Sequence, residues 1–308
     1  MIMNFKKRKK GASFNSSLFK SRKDETLYLR AYDDVFSSYR LKPEEIRVST
    51  RFGLTHVNAF GSKGFPNLVL LHGMGASSTM WSPNIEALSR HFRVYALDTI
   101  GDLGKSRCEG RLREGQDYAR WLKDAFEGLK LEKAHIAGVS YGGWIAFHFA
   151  IYAPERTEKI VSIAPAATFQ RIRLLFFIRT IPIFLIPVKR IQKHLRVQFI
   201  RWLAGLSDIN GIEADPLWRQ YLCGASLARL RPVAPPNIFD DRTLKNITIP
   251  TLLLVGEKEV IYDPQKVLDR AGRTMPNITT QLVTDGTHMM SWEKKEIINA
   301  QMIAYLLD

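Results

Sequence analysis

Cysteine is nearly absent: Cys108 and Cys223 are the only two in 308 residues. Two thiols cannot build a disulfide framework, and these lack zinc-site spacing, so a reducing, cytoplasmic setting is expected. No run of eighteen uncharged apolar residues occurs, which argues against a membrane-spanning helix. The stretch Met1 to Lys23 lacks an apolar segment long enough for a secretory signal. There is no internal repeat and no long low-complexity tract. A P-loop and a G-x-G-x-x-G behind a strand are also missing, so no organic cofactor and no metal are expected. Acids are scarce, with 30 Asp and Glu against 45 Lys and Arg, a formal charge of +15.

The excess charge is localised. Eight basic residues and no acid lie between Met1 and Lys23, and eight more, again without an acid, between Thr168 and Gly205. Without these two segments the remaining chain carries a formal charge of −1. A nucleic-acid-binding domain would carry its basic patch on the folded body with a recognisable motif, and none is present, so no nucleic-acid partner is expected. Hydrophobic residues make up 45% and aromatics 11%, enough for one large core at this length.

A helix is expected over Asp24 to Arg40, followed by a hairpin from Ile46 to Gly53 and Thr55 to Phe60. The run Asn67 to Leu71 between Pro66 and His72-Gly73 reads as a strand buried on both faces. Helix and strand then alternate: helix Pro83 to His91, strand Arg93 to Leu97, helix Asp117 to Leu129, strand Ala134 to Val139, helix Tyr141 to Tyr152, strand Lys159 to Ala164. After an interruption come strand Thr251 to Val255, helix Gln265 to Thr274, strand Thr280 to Val283 and helix Glu293 to Leu307. The alternation predicts an α/β fold, a mostly parallel central sheet with helices on both faces. The interruption predicts a helical lid inserted before the last two strands, over the edge where such sheets bind ligands. The expected division is a basic, flexible tail over 1–23, a core over 24–167 and 237–308, and a lid over 168–236.

Gly138-Val139-Ser140-Tyr141-Gly142 fits G-x-S-x-G between a predicted strand and a predicted helix. In that context a sharp turn lifts the Ser140 hydroxyl above the sheet as a nucleophile, and the Tyr141 N–H points from a helix N-terminus toward the oxygen under attack. A glycine turn with an incidental serine is the alternative. Leu71-His72-Gly73-Met74-Gly75 follows the third strand, where hydrolases of this architecture place a second oxyanion donor, here the Met74 N–H.

With these segments in view, the chain resembles the α/β-hydrolase superfamily, in its lid-bearing esterase and lipase-like branch. The resemblance is carried by LLHGMG at 70–75, DTIGDLGKS at 98–106, GVSYGG at 138–143, PTLLLVGEKE at 250–259 and GTHMMSWEKKEIINAQMIAYL at 286–306. It implies that His288, in the loop before the last helix, is the catalytic histidine, and that Asp98 organises a loop. For the acid the family commonly shows Gly-x-x-Asp, whereas Gly256-Glu257-Lys258-Glu259 puts glutamate there, and Ser-His-Glu triads exist. Asp263 competes with Glu259 for the role, or it caps the next helix ahead of Pro264.

The expected activity is hydrolysis of a carboxylic ester of a small to medium apolar substrate through a Ser-His-acid triad and an acyl-enzyme. Other acyl or carbon–carbon hydrolysis, or a non-catalytic binding or signalling role, stays open on the same fold. Leu174 to Val188 is an apolar run with Arg179 as its sole charge, and with the basic residues on either side Arg171 to Trp202 reads either as lid helices shielding an acyl pocket with arginines outside, or, together with Lys6 to Lys10, as a contact for an anionic membrane surface.

Overall fold

The computed structural model describes residues 18–186, 188–205, 215–228 and 233–308. The hairpin is β1 (Glu44–Thr50) antiparallel to β2 (Gly53–Phe60), with Val48 opposite Thr55. Next in chain order come β3 (Asn67–Leu71), β4 (Arg93–Leu97), β5 (Arg107–Cys108) and β6 (Ala134–Val139), then β7 (Thr157–Ile163), β8 (Thr251–Gly256) and β9 (Ile278–Val283). The sheet order is β1-β2-β4-β3-β6-β7-β8-β9, parallel from β4 onward, with β5 paired to β2. A two-residue strand leaves no period to read, and the sequence reading has none at β5.

The helices are α1 (Arg22–Ser38), α2 (Ser82–Leu88), α3 (Gly115–Gly128), α4 (Tyr141–Tyr152), α5 (Leu174–Leu185), α6 (Lys189–Leu203), α7 (Pro216–Leu227), α8 (Asp241–Lys245), α9 (Pro264–Thr274), α10 (Met290–Glu293) and α11 (Lys295–Leu307). Strand side chains alternate between two cores. Leu68 and Leu70 join Tyr32 of α1, Ile85 of α2 and Met302 of α11 on one face, while Val69 and Leu71 join Trp121 of α3, Trp144 of α4 and Val267 of α9 on the other. Both faces of β3, β6 and β8 are thus dry, which is why these strands read as unbroken apolar runs.

Two expectations at the ends need correction. The tail does not extend to residue 23. Leu18 and Phe19 are buried, Phe19 bridges to Ala228, and α1 already begins at Arg22 because the Ser21 hydroxyl accepts from the Asp24 N–H at 3.1 Å. Lys6 to Lys10 lie outside the described residues. The last helix is also split, α10 and α11 meeting at Lys294, whose φ of −116° and ψ of 32° are not helical.

Between β7 and β8 the chain leaves the sheet and forms α5, α6 and α7. α7 is fastened to the body by Gln220, whose amide donates to Tyr28 Oη (3.0 Å) and Ser77 Oγ (2.9 Å) and accepts from Thr79 Oγ1 (2.5 Å). All four groups are buried, and buried polar groups are tolerable only when paired in this way.

A second buried hub is Asp98, just past β4. Oδ1 accepts from the Ser78 N–H (2.8 Å) and hydroxyl (2.7 Å), and Oδ2 from the Lys105 N–H (2.7 Å), Tyr32 Oη (3.1 Å) and His56 Nδ1 (3.1 Å). Burial alone would raise its pKa, but His56 and these donors outweigh it and bring the carboxyl from 3.8 to about 2. A carboxylate depressed in the fold contributes stability above its unfolded value, lost as pH falls through the folded one. His148 runs in a higher window: burial lowers it from 6.5 to about 4, with Asn237 opposing. Stability is therefore expected to fall in two stages on acidification, one between about pH 6.5 and 4 and another between about pH 4 and 2. Melting temperature followed against pH checks this, and Asp98→Asn should shrink the lower stage, leaving the part that other lowered carboxylates such as Asp124 contribute. The same variant should lose about 3–5 kcal/mol in urea at neutral pH, because it strands donors and His56 around a buried uncharged group.

Candidate active site

The site grows from one tight turn. β6 ends at Val139 and α4 starts at Tyr141, leaving Ser140 to reverse the chain with φ 52° and ψ −111°. That is a costly region for a residue with a Cβ. It holds because its backbone is pinned: the Ser140 N–H donates to Ile163 O (2.9 Å), and its carbonyl accepts from Ala166 N (3.0 Å) and Trp144 N (3.2 Å). The glycines on either side are obligatory. A Cβ on Gly138 would strike the backbone of Gly142, and one on Gly142 would strike the Leu71 carbonyl oxygen.

The turn carries Ser140 to the loop after β9. His288 Nε2 lies 3.1 Å from Ser140 Oγ, and His288 Nδ1 lies 2.8 Å from Glu259 Oε2. Glu259 is 4% exposed and His288 6%. The other carboxylate oxygen, Oε1, accepts from the N–H groups of Val260 (2.8 Å) and Ile261 (2.9 Å). An ionised Glu259 has only acceptors to offer, which assigns the imidazole proton to Nδ1 and leaves Nε2 free to accept from the serine hydroxyl. The two loops are laced together by Glu257 N to Val283 O (3.0 Å) and Lys258 N to Gly286 O (2.8 Å). Beyond His288, the Thr287 N–H donates to the Glu293 carboxylate at 2.6 Å.

Asp263 is not in this line. Its side chain accepts from the Lys266 N–H at 3.2 Å as the N-cap of α9, ahead of Pro264. The structure thus brings Ser140, His288 and Glu259 together and leaves Asp263 at a helix start.

The loop after β3 runs alongside. A Cβ built on Gly73 would sit 3.6 Å from that of Ser140. His72 sets this loop: its Nε2 accepts from the Thr99 N–H (2.9 Å), so Nδ1 holds the proton and donates to Gly73 O (2.8 Å). Among the described residues, neither the Met74 N–H nor the Tyr141 N–H has a hydrogen-bond acceptor. The Tyr141 side chain is turned away into the core, donating to Ala234 O at 2.7 Å.

Two residues around the site have no role assigned to them from the sequence. Asp102 accepts from the N–H groups of Gly75 and Leu103, both at 2.8 Å, and so shapes the Met74 loop. Burial raises its pKa, opposed chiefly by His72. Its signal was an acid within the glycine-rich segment after β4. Arg196 on α6 is buried, against the expectation that the lid's arginines face outward, and nothing in its basic surroundings sets it apart. The outward face of α5 is instead apolar: Leu174 is 73% exposed, Leu185 74% and Ile178 57%.

Residues 66–295 match the model of the alpha/beta hydrolase fold family. The chain is 36% identical over 286 residues to carboxylesterase YbfK of Bacillus subtilis (strain 168), covering 91% of this chain and 93% of that protein. The crystal structure of that carboxylesterase, CesB (YbfK), superposes with a TM-score of 0.85 over 92% of this chain and 98% of the other. The naproxen esterase (carboxylesterase NP) of the same species is 32% identical with a TM-score of 0.84, again covering 92% and 98%. The chain belongs to the α/β-hydrolase family, as a carboxylesterase-like hydrolase.

Proposed function

We propose that the protein is a serine carboxylesterase in which Ser140 is the nucleophile, His288 the general base and Glu259 the acid that orients it. The observation that carries this reading is the continuous line Ser140 Oγ, His288 Nε2, His288 Nδ1, Glu259 Oε2, with gaps of 3.1 and 2.8 Å. In the forward step Ser140 attacks the ester carbonyl as His288 takes its proton, and Glu259 stabilises the imidazolium. The negative charge on the carbonyl oxygen falls to the N–H groups of Tyr141 and Met74, each worth about 2.7–4 kcal/mol in comparable hydrolases. His288 then protonates the departing alcohol, and water, activated by the same imidazole, releases the acid from Ser140. The segment 168–236, with α5 to α7, serves as the lid over the acyl-binding space.

A second element of the proposal is contact between this lid and an anionic membrane surface. Leu174, Ile178, Ile181 and Leu185 form an exposed apolar stripe on α5, with Arg171, Arg173, Arg179 and Arg190 exposed around it. Apolar side chains ringed by cations suit an interfacial helix, each cation near an anionic leaflet adding about 1 kcal/mol. No helix among the described residues is long and apolar enough to cross the membrane.

Ser140→Ala should lower p-nitrophenyl ester hydrolysis by ~10⁴-fold or more, and Glu259→Gln by ~10⁴-fold through loss of the correct tautomer. Asp263→Ala should stay within a few-fold of wild type while losing roughly 1 kcal/mol from its helix cap. An equal loss of activity in the Asp263 variant would move the acid role there, and a wild type inert to a fluorophosphonate probe would remove Ser140 as nucleophile.

For the membrane contact, the full chain should co-sediment with vesicles of equal parts phosphatidylcholine and phosphatidylserine and be released by high salt. Ile178→Glu should weaken the binding. Failure to bind at moderate salt, or equal binding to pure phosphatidylcholine, rules the contact out.

A further inference from the structure

A cavity of about 380 Å³ lies between the lid helices and the body, bounded by Met74 and Gly75 of the loop beside Ser140, by Asp102, and by Arg196 and Tyr221 of the lid. Ile183, Phe199 and Val233 give much of its remaining wall an apolar character. Arg196 is the anomaly within it. The residue is 9% exposed, and among the described residues its side chain makes one hydrogen bond, from Nη1 to the neutral hydroxyl of Ser226 at 3.2 Å. Among the described residues no carboxylate lies within 4.0 Å of its guanidinium. Among the described residues Asp102 is the one acid in the lining, and its two oxygens accept from the Gly75 and Leu103 N–H groups.

A guanidinium removed from water without a counter-anion is strongly disfavoured. Arg196 registers that cost: burial lowers its pKa, with only the distant influence of Tyr221 opposing. Its planar fork, with at least three N–H donors unspent, matches the two oxygens of a carboxylate. Met74 ties the same cavity to the site where the scissile carbonyl would sit.

We infer that the cavity takes an ester whose far end bears a carboxylate, held by Arg196, with an apolar chain between that carboxylate and the scissile carbonyl. Half-esters of medium-length dicarboxylic acids are the simplest such substrates. The inference deepens the esterase reading and rests on it for the reaction, though not for the binding of the anion. It also replaces the wholly apolar substrate expected from the sequence with one that is apolar in the middle and charged at the end.

Two measurements on the full chain test it. The first is kcat/KM for mono-p-nitrophenyl suberate divided by that for p-nitrophenyl octanoate. Arg196→Met should lower this ratio by about ten- to a hundredfold, the value of a charge-assisted hydrogen-bond pair, mainly through KM. Arg196→Lys, which keeps the charge but not the fork, should recover part of the loss. The second is binding of free suberate, read as a rise in melting temperature, present in wild type and lost in Arg196→Met. An unchanged ratio in Arg196→Met, or no suberate binding by wild type, overturns the inference. Arg196-dependent suberate binding with neither ester hydrolysed would keep the anion site and discard the esterase reading instead.

Discussion

The whole site depends on the backbone of Ser140 being held at a positive φ. An L-residue enters that region at a cost of roughly 1–3 kcal/mol, and it stays there only when its surroundings leave no alternative. Here the alternative is removed by packing: α4 rises so close to β3 and β6 that the Leu71 carbonyl and the Gly142 backbone occupy the space a side chain would need. The buried aromatic cluster of Tyr118, Tyr141 and Trp144, with ring centroids 5.0 to 6.2 Å apart, presses the helix into place. Core packing on one face of the sheet thus sets the conformation of a single residue at its edge. That residue's hydroxyl reaches His288 because β8 and β9, parallel to β6 in the same sheet, send their following loops over the same edge.

The loops that surround Ser140 are fixed by buried and half-buried polar groups. Asp98 gathers α1, β2 and the turn containing Ser78, His72 joins the ends of β3 and β4, and Asp102 holds Gly75. Each substitutes for the backbone pairing that loop residues lack. The arrangement is costly to disturb, since a buried donor left without its acceptor loses about 1–3 kcal/mol. It leaves the N–H groups of Met74 and Tyr141 as exceptions, which is the condition for a group poised to bind an oxygen that is not part of the protein.

Much of this was legible in the sequence because it rests on local rules. The turn at Ser140 announces itself through glycines flanking a serine between a strand and a helix, and the parallel sheet through unbroken apolar runs such as Leu68 to Leu71. The choice between Glu259 and Asp263 was harder, because both follow β8 within one loop. The chain's path separates them: Asp263 precedes Pro264 and turns to cap α9, while Glu259 sits one turn earlier, facing His288. What the sequence did not disclose is long-range pairing. Gln220 looks like an ordinary helical glutamine until α7 packs beside Tyr28, some 190 positions away in the chain. Arg196 is one of eight basic residues in its segment, and only the three-dimensional path of α6 turns it inward. The tail boundary failed for the same reason, since burial of Leu18 and Phe19 depends on a partner surface that includes Ala228.

The helices inserted between β7 and β8 are mechanically uneven as a consequence. Displacing α7 would strand Gln220, Tyr28, Ser77 and Thr79 together, each at about 1–3 kcal/mol, so α7 belongs energetically to the body. Among the described residues α5 has no comparable anchor: its side-chain hydrogen bond from Thr180 closes on the helix itself, and its outer stripe of Leu174, Ile178, Ile181 and Leu185 faces solvent. Local opening is drawn from segments with few buried partners, which places access to the cavity at α5 and the start of α6 and not at α7. The same helices carry the exposed arginines and, on their inner side, Arg196. The basic charge first visible as a bulk excess is therefore divided by the fold, with Arg171, Arg173, Arg179 and Arg190 exposed and Arg196 buried without a carboxylate partner among the described residues.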